Sequence, residues 1–258
     1  MATPQRNPVQ QKPLVEISLD SVESAVAAQR GGAGRVELCT DLLQGGTTPS
    51  AGLIATVRNR MSIPLHVMIR PRASDFCYTK QEFEIMKRDI LMAKQLGADG
   101  VVLGILIPDG RIDLKRTREA VEIAKPMTVT FHRAFDMTEN LHEALESVIE
   151  SGAARILTSG GESKAEDALA TISALLRTAR NRIAITVCGG VRESNVRRIV
   201  DETGAREVHV GHSGVQIPVV SAMQYRNEKV SMGTVAGHEY QHFIVSEERV
   251  RSLVRALD

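Results

Sequence analysis

Short runs of alternating apolar and polar residues recur eight times along the chain, and each is followed by a segment whose apolar residues return at helical spacing. The alternation predicts strands near 14–19, 35–39, 65–70, 100–106, 128–133, 155–159, 183–188 and 207–211. Helices are predicted near 21–31, 50–61, 80–96, 114–124, 140–151, 165–180 and 193–203. Asp20 and Glu23 have the spacing of a capping box at the first helix, and Gly97, Gly152 and Gly204 stand where helices end. Eight strand–helix units without a linker-like change in composition predict one closed (β/α)8 TIM barrel over residues 14–258, preceded by a loose polar tail at 1–13. An open doubly wound sheet is the alternative, but the first strand is not followed by GxGxxG and its connection to the first helix is short and glycine-free. The eighth unit differs: a long segment of about 30 residues separates the last strand from an amphipathic C-terminal helix near 246–257.

The residues predicted to point outward, under the helices, are apolar: Val15 and Ile17, Val36 and Leu38, Val67 and Ile69, Val101 and Leu103, Val129 and Phe131, Ile183 and Ile185, Val208 and Val210. The residues between them, which would fill the barrel, are mostly polar. They include Glu16 and Ser18, Glu37 and Cys39, His66, Met68 and Arg70, Thr130 and His132, Thr186 and Cys188, and His209. An ordinary barrel interior is packed with branched apolar side chains. Carboxylates and a guanidinium there are costly unless paired, so Glu16, Glu37 and Arg70 are expected to share charge and hydrogen bonds. A structural polar plug would account for the pattern. So would a cleft in which Glu16, Glu37 and His132 act as acid/base groups.

Composition narrows the partners. Thirty-two Lys and Arg against thirty-one Asp and Glu leave a formal charge of +1, which offers no field for nucleic acid or a membrane surface. No apolar run approaches the ~20 residues of a membrane span, and the first 13 residues lack the apolar core of a signal peptide. Three widely spaced cysteines, Cys39, Cys77 and Cys188, do not make a disulfide framework and fit a reducing cytoplasm.

Further chemistry falls at the C-terminal ends of the strands, where barrel enzymes keep their sites. Arg70, Arg72 and Arg133 are predicted near this rim. Gly189 and Gly190 after the seventh strand and Gly211 after the eighth stand where barrels offer backbone N–H groups to phosphate. Together they predict a small anionic ligand, phosphorylated ones included. Cys39, Cys188, Cys77 and Met68 fall at the same end, and two or three sulfurs suit Cu(I), whereas CxxC, HxxxH and tetrahedral zinc spacings are absent. Small buried cysteines packed as hydrophobes are the plainer account. His66, His142 and His242 are placed away from the rim, at a strand start, on a helix surface and in the late segment. GxSxG and a Walker loop are missing, and no lysine falls in a strand where it could form a Schiff base.

These stretches resemble the CutC family of copper homeostasis proteins. The resemblance rests on Asp20-Ser21-Val22-Glu23-Ser24-Ala25, Arg35-Val36-Glu37-Leu38-Cys39, Gly45-Gly46-Thr47-Thr48-Pro49-Ser50 and Met68-Ile69-Arg70-Pro71-Arg72, with Asp75-Phe76 and Tyr78 beyond. It continues through Thr130-Phe131-His132-Arg133-Ala134-Phe135-Asp136, Leu157-Thr158-Ser159-Gly160 and Glu207-Val208-His209, and includes Tyr225-Arg226-Asn227 and Ser231-Met232. It implies a TIM barrel, a cytoplasmic location, a homo-oligomer such as a dimer or tetramer, and binding or handling of Cu(I). It also implies a pair of Cu(I)-binding cysteines at the ends of the first two strands. The second matches Cys39; the first falls on Ser18, so half of that pair is absent here.

Overall fold

In the computed structural model of the protein, which describes residues 12–227, 229–231 and 238–258, every alternating run is a strand. These are β1 (Leu14–Leu19), β2 (Arg35–Leu38), β3 (Leu65–Met68), β4 (Gly100–Leu103), β5 (Thr128–Phe131), β6 (Arg155–Thr158), β7 (Ala184–Val187) and β8 (Glu207–Val210). They pair in parallel in sequence order and β8 closes onto β1, giving a TIM barrel. The helices between them are α1 (Val22–Gly31), α2 (Ala51–Arg58), α3 (Lys80–Gln95), α4 (Leu114–Ala124), α5 (Leu141–Ser151), α6 (Leu169–Ala179) and α7 (Glu193–Thr203). None of the described helices is long and apolar enough to cross a membrane.

The two-residue period of the strands separates two interiors. All the outward residues named above belong to the large apolar cluster beneath the helices, whereas Cys39, Met68 and Val102 form a small separate cluster inside the barrel. The polar inward series is buried throughout, from Glu16 to His209.

Local chemistry sets the helix ends. Gly152 and Gly204 close α5 and α7 in the left-handed conformation that glycine adopts without strain. At the start of α1 the expected Asp20–Glu23 box is replaced: Ser21 is the cap, its hydroxyl accepting the Ser24 N–H, because the helix begins one residue later than the alternation suggested. The capping box is instead at α3, between Thr79 and Glu82.

The segment after β8 is not merely a loop. It continues as α8 (His212–Val215) and β9 (Gln216–Val220), and β10 (Gln241–Val245) returns antiparallel to β9 before α9 (Glu247–Arg255). Pro218 sits within β9, which a two-stranded sheet tolerates because one edge stays unpaired. α9 packs on α1 and α7; a Cβ at Gly31 would stand 2.6 Å from Val250 Cβ, so glycine is what lets the last helix close the ring. Of the expected tail, residues 1–11 lie outside the described residues, as does Met232.

Candidate functional site

A buried chain of charges runs beneath the barrel mouth. The register sets Glu16 of β1 beside Arg35 of β2 on one side and His209 of β8 on the other. Glu16 accepts from Arg35 Nε with one oxygen and pairs with His209 Nδ1 at 2.7 Å with the other. Arg35 Nη2 reaches Glu207 Oε2 at 2.6 Å, and the same oxygen accepts from Arg155 Nε at 3.0 Å and from the Thr186 hydroxyl at 2.9 Å. Burial alone would raise Glu16, but Arg35, His209 and His66 hold its carboxyl well below the usual range. His66, 4.0 Å from Glu16, is pushed down to about 4 by burial, which with Arg35 and Arg155 outweighs the pull of Glu16.

This arrangement corrects two expectations. Glu16 has both oxygens engaged and does not border the cavity above it, so it is a fixed anion and not a free acid or base. The shared charge of Glu16, Glu37 and Arg70 does not form either. Arg35 is the partner of Glu16, because adjacent strands place them side by side, while Arg70 lies beyond the end of β3.

Above the chain, the C-terminal face opens into a cavity of about 370 Å³ bordered by Glu37, Arg70, His132, Arg133 and His209. Glu37 Oε2 accepts from the Cys39 thiol at 3.5 Å and lies 3.9 Å from His209 Nε2; Glu37 Oε1 is buried with no hydrogen-bond partner among the described residues. Burial raises the Glu37 carboxyl, with His209 pulling it down and Glu16 pushing it further up. For His209, burial disfavours the charged ring, but Glu37 and Glu16 outweigh it and raise the imidazole.

His132 directly follows β5. Its Nδ1 accepts the Ala134 N–H at 3.1 Å, so in the neutral ring the proton sits on Nε2, which is buried and has no hydrogen-bond partner among the described residues. Burial and the charge of Arg70 push His132 down to about 3, which keeps it neutral. At neutral pH its Nε2–H is a hydrogen-bond donor on a residue that borders the cavity. Gly104 makes the space for the ring: a Cβ there would stand 2.4 Å from His132 Nδ1.

The anion-binding candidates separate into two groups. Arg133 borders the cavity and keeps 44% of its side chain exposed. Asp136 positions it, accepting from Arg133 Nε at 2.9 Å, from Ser159 N at 3.0 Å, from Gly161 N at 3.2 Å and from the hydroxyls of Ser159 and Thr158. Gly189, Gly190 and Gly211 border the same cavity, and their N–H groups donate to no described residue. Gly189 has φ of +89°, and a Cβ would meet Ser159 Cβ at 2.8 Å, so both the turn and the close approach require glycine. Arg72, by contrast, is drawn away from the cavity by Glu82 at 2.6 Å and Asp75 at 3.0 Å. Arg70 borders the cavity; its Nε is buried without a hydrogen-bond partner among the described residues, and its other nitrogens donate to the carbonyls of Gln44, Gly46 and Ser74.

The sulfurs also separate. Cys39 and Met68 pack together, Cys188 and Met68 both border the cavity, and Cys77 is half-buried against the outer core. Ser18 Oγ stands 3.8 Å from Cys39 Sγ. Burial, and then the negative charge of Glu37, raise the Cys39 thiol well above its ordinary value, and burial followed by Asp136 does the same for Cys188. The thiol and thioether at Cys39 and Met68 fit a soft monovalent ion in kind.

Sequence reasoning missed Arg35, Arg155, Glu207 and Asp136 as site-forming residues. Strand parity held the signal for the first three: Arg35 shares a face with Glu37, Arg155 with Leu157, and Glu207 with His209. Asp136 had no such signal, because it sits in a short 3-10 turn (Arg133–Met137). His142 and His242 are exposed, on α5 and β10, and His242 is close enough to Asp20, the residue after β1, for its charge to act there.

The model of the CutC family matches residues 13–214. A copper homeostasis protein cutC homolog of Mus musculus is 45% identical over 241 residues, covering 93% of this chain and 88% of its own. A CutC family protein of Bacteroides thetaiotaomicron is 46% identical over 244 residues, covering 94% and 97%. The crystal structure of CutC from Streptococcus agalactiae superposes with a TM-score of 0.74 at 34% identity, over 77% of this chain and 98% of that one. Thiamine phosphate pyrophosphorylase from Pyrococcus furiosus, 18% identical with a TM-score of 0.56 over 95% of this chain and 96% of that one, shares the fold.

Proposed function

The chain belongs to the CutC family, and from that premise and the geometry of the barrel mouth we propose that it binds a small anionic ligand and transfers protons on it. One observation carries this reading. Two buried polar atoms of opposite sense, the acceptor Glu37 Oε1 and the donor Nε2–H of His132, belong to residues on the wall of one cavity, and neither has a hydrogen-bond partner among the described residues. Such atoms cost about 1–3 kcal/mol each when left unmade, which a ligand carrying both a donor and an acceptor would recover. Arg133 and the free N–H groups of Gly189, Gly190 and Gly211 supply the anion-binding end. Glu37, buried and raised, is then the group that takes or gives a proton, while neutral His132 donates a hydrogen bond to a carbonyl or hydroxyl oxygen.

The test uses inorganic phosphate as the probe. Calorimetry on the wild-type protein is expected to show binding that Arg133→Ala weakens by about tenfold or more, in line with the loss of a charge-assisted contact. Equal phosphate affinity in the two proteins would remove the anion-binding end from this cavity.

A second reading is favoured by the packing of Cys39 against Met68: the mouth holds Cu(I), with Cys188 as a further sulfur on the same wall. The names of the Mus musculus and Homo sapiens relatives, both copper homeostasis protein cutC homologs, support it. A competitive Cu(I) titration of the reduced protein is expected to give one ion per chain, with Cys39→Ser weakening it by about a hundredfold or more. Unchanged affinity in that variant would place any bound copper elsewhere.

A further inference from the structure

We propose that the mouth takes a short phosphorylated hydroxy-aldehyde or hydroxy-ketone, and that His209, held from behind by Glu16, removes the proton from the carbon beside its carbonyl. This rests on the anionic-ligand reading and deepens it: that reading leaves the carbon skeleton of the ligand and its reaction open, and it gives His209 no part.

The unmet atoms of the mouth specify the groups of the ligand. His132 Nδ1 accepts the Ala134 N–H, so Nε2 of the neutral ring, buried and without a hydrogen-bond partner among the described residues, can only donate. A carbonyl oxygen is the acceptor that answers it. Glu37 Oε1, on a residue 3% exposed, is an acceptor in the same condition, and a hydroxyl group answers that one. Both residues border the cavity, which Arg133, Gly189, Gly190 and Gly211 also border with the donors a phosphate needs. A carbonyl, a hydroxyl and a phosphate on one molecule are the features of a phosphorylated sugar in its open-chain form. At about 370 Å³ the cavity is near the lower end of the range for ligand pockets, roughly 300–1,000 Å³, so the carbon chain is short.

With the hydroxyl directed to Glu37, the carbon proton needs a different base. His209 Nδ1 pairs with Glu16 at 2.7 Å, and Glu16 is itself bound by Arg35, so the support is fixed. A carboxylate on one ring nitrogen sets the tautomer: the proton stays on Nδ1, and the neutral ring keeps its lone pair on Nε2. That nitrogen makes no hydrogen bond among the described residues, and His209 borders the cavity. It lies 3.9 Å from Glu37 Oε2, so two proton acceptors stand side by side, one for carbon and one for oxygen.

The step balances within the ligand. The C–H bond breaks and its proton passes to His209 Nε2; the electron pair forms a C=C bond to the carbonyl carbon, and the carbonyl π pair moves onto oxygen. His132 Nε2–H donates to that oxygen, as a neutral imidazole can without giving up its proton. Glu37 takes the proton of the neighbouring hydroxyl and passes it to the former carbonyl oxygen. Return of the carbon proton to the former carbonyl carbon gives the isomeric carbonyl compound, and return to the original carbon gives the starting one. One carbon is oxidised as its neighbour is reduced, so no outside oxidant is required.

The experiment incubates the full-length wild-type protein in D2O with dihydroxyacetone phosphate and with the phosphorylated aldotetroses and aldopentoses, and follows the carbon-bound protons by NMR. A pD of about 8.5, above the ordinary imidazole range, populates the neutral ring. Deuterium is expected to enter the carbon beside the carbonyl of at least one of these compounds, while unphosphorylated dihydroxyacetone exchanges at the buffer rate. His209→Gln, whose amide can still donate to Glu16, is expected to slow that exchange about a hundredfold or more while binding phosphate as the wild type does. Nitrogen NMR of the wild-type protein is expected to place the proton of the neutral His209 ring on Nδ1. A proton on Nε2, or wild-type exchange in a folded His209→Gln protein, would overturn the assignment of the base. No deuterium in any of these compounds, from a protein whose phosphate binding depends on Arg133, would overturn the proposal and leave the anionic-ligand reading standing. A protein that neither binds phosphate nor exchanges these protons would remove both.

Discussion

Arg35→Met should lose about 3–5 kcal/mol of stability at neutral pH, the range for removing one partner of a buried ion pair. The side-chain volume is nearly kept, so the loss comes from charge and not from a cavity. Arg35 bonds Glu16 and Glu207 at once and is itself 3% exposed. Glu207 retains Arg155 and Thr186, whereas Glu16 retains His209 as its hydrogen-bond partner among the described residues, with His66 4.0 Å away. For a chain of this size the loss corresponds to a fall in melting temperature of roughly 6–20 °C. It is about a fifth or more of the total stability of a typical domain, about 5–15 kcal/mol.

The pH dependence distinguishes this cause from a packing defect. In the wild-type protein Glu16 and Glu207 are held below their ordinary carboxylate values, so they contribute stability above about pH 4.5 and lose it as the pH falls through their folded values. His66, pushed down to about 4, adds a loss that starts near its unfolded value of about 6.5. Without Arg35, burial dominates at Glu16 and its folded value rises above the unfolded one. The variant is then least stable at high pH and regains stability as the pH falls and Glu16 takes up a proton. Urea melts of both proteins from pH 8 to pH 4 should therefore converge toward acid. A difference that stays constant over that range would mean that Arg35 acts by packing alone.

Much of this architecture is legible in the alternation of the strands. A period of two assigns each strand residue to the barrel interior or to the layer beneath the helices, and the outward series from Val15 to Val210 does join one apolar cluster. Parity tells which face a residue takes but not how far its side chain reaches or which neighbour it meets. That depends on the register between strands, and the register is fixed by closure of all eight. So Glu16 and Glu37 were visible as buried carboxylates, while the partner that neutralises Glu16 was not. Loop geometry is further removed from the pattern. Arg72 and Arg70 lie two residues apart after β3, yet one turns to Glu82 at the start of α3 and the other spans two loops. The hairpin of β9 and β10 was hidden because its strands are short and separated by twenty residues of other sequence (221–240).

Arg70→Ala should open the mouth on two sides. The Nη1 of Arg70 donates to Gln44 O at 2.9 Å and to Gly46 O at 2.8 Å, and Nη2 donates to Ser74 O at 3.0 Å, so one guanidinium ties the loop after β2 to the loop after β3. It also lies 5.2 Å over the ring of Phe76. Hydrogen bonds from a charged group contribute about 1.5–3 kcal/mol each, but loops at a surface regain water when released, so the net global loss should be nearer 2–4 kcal/mol. The larger effect is local: amide hydrogen exchange at residues 41–48 and 72–78 should rise about ten- to a hundredfold, while the strands keep their protection. His132 provides a second readout. Arg70 is the charge that, after burial, pushes its imidazole down to about 3, so the alanine variant should let His132 titrate at a higher pH. Arg70→Lys separates the two roles, because an ammonium keeps the charge but lacks the planar fork that reaches three carbonyls. It should preserve the depressed His132 titration, followed by NMR of the imidazole, and still loosen the loops. If the loops of Arg70→Ala exchanged at the wild-type rate, the guanidinium would not be what holds the mouth closed, and the fixed positions of Glu37 and His132 would have to come from the barrel strands alone.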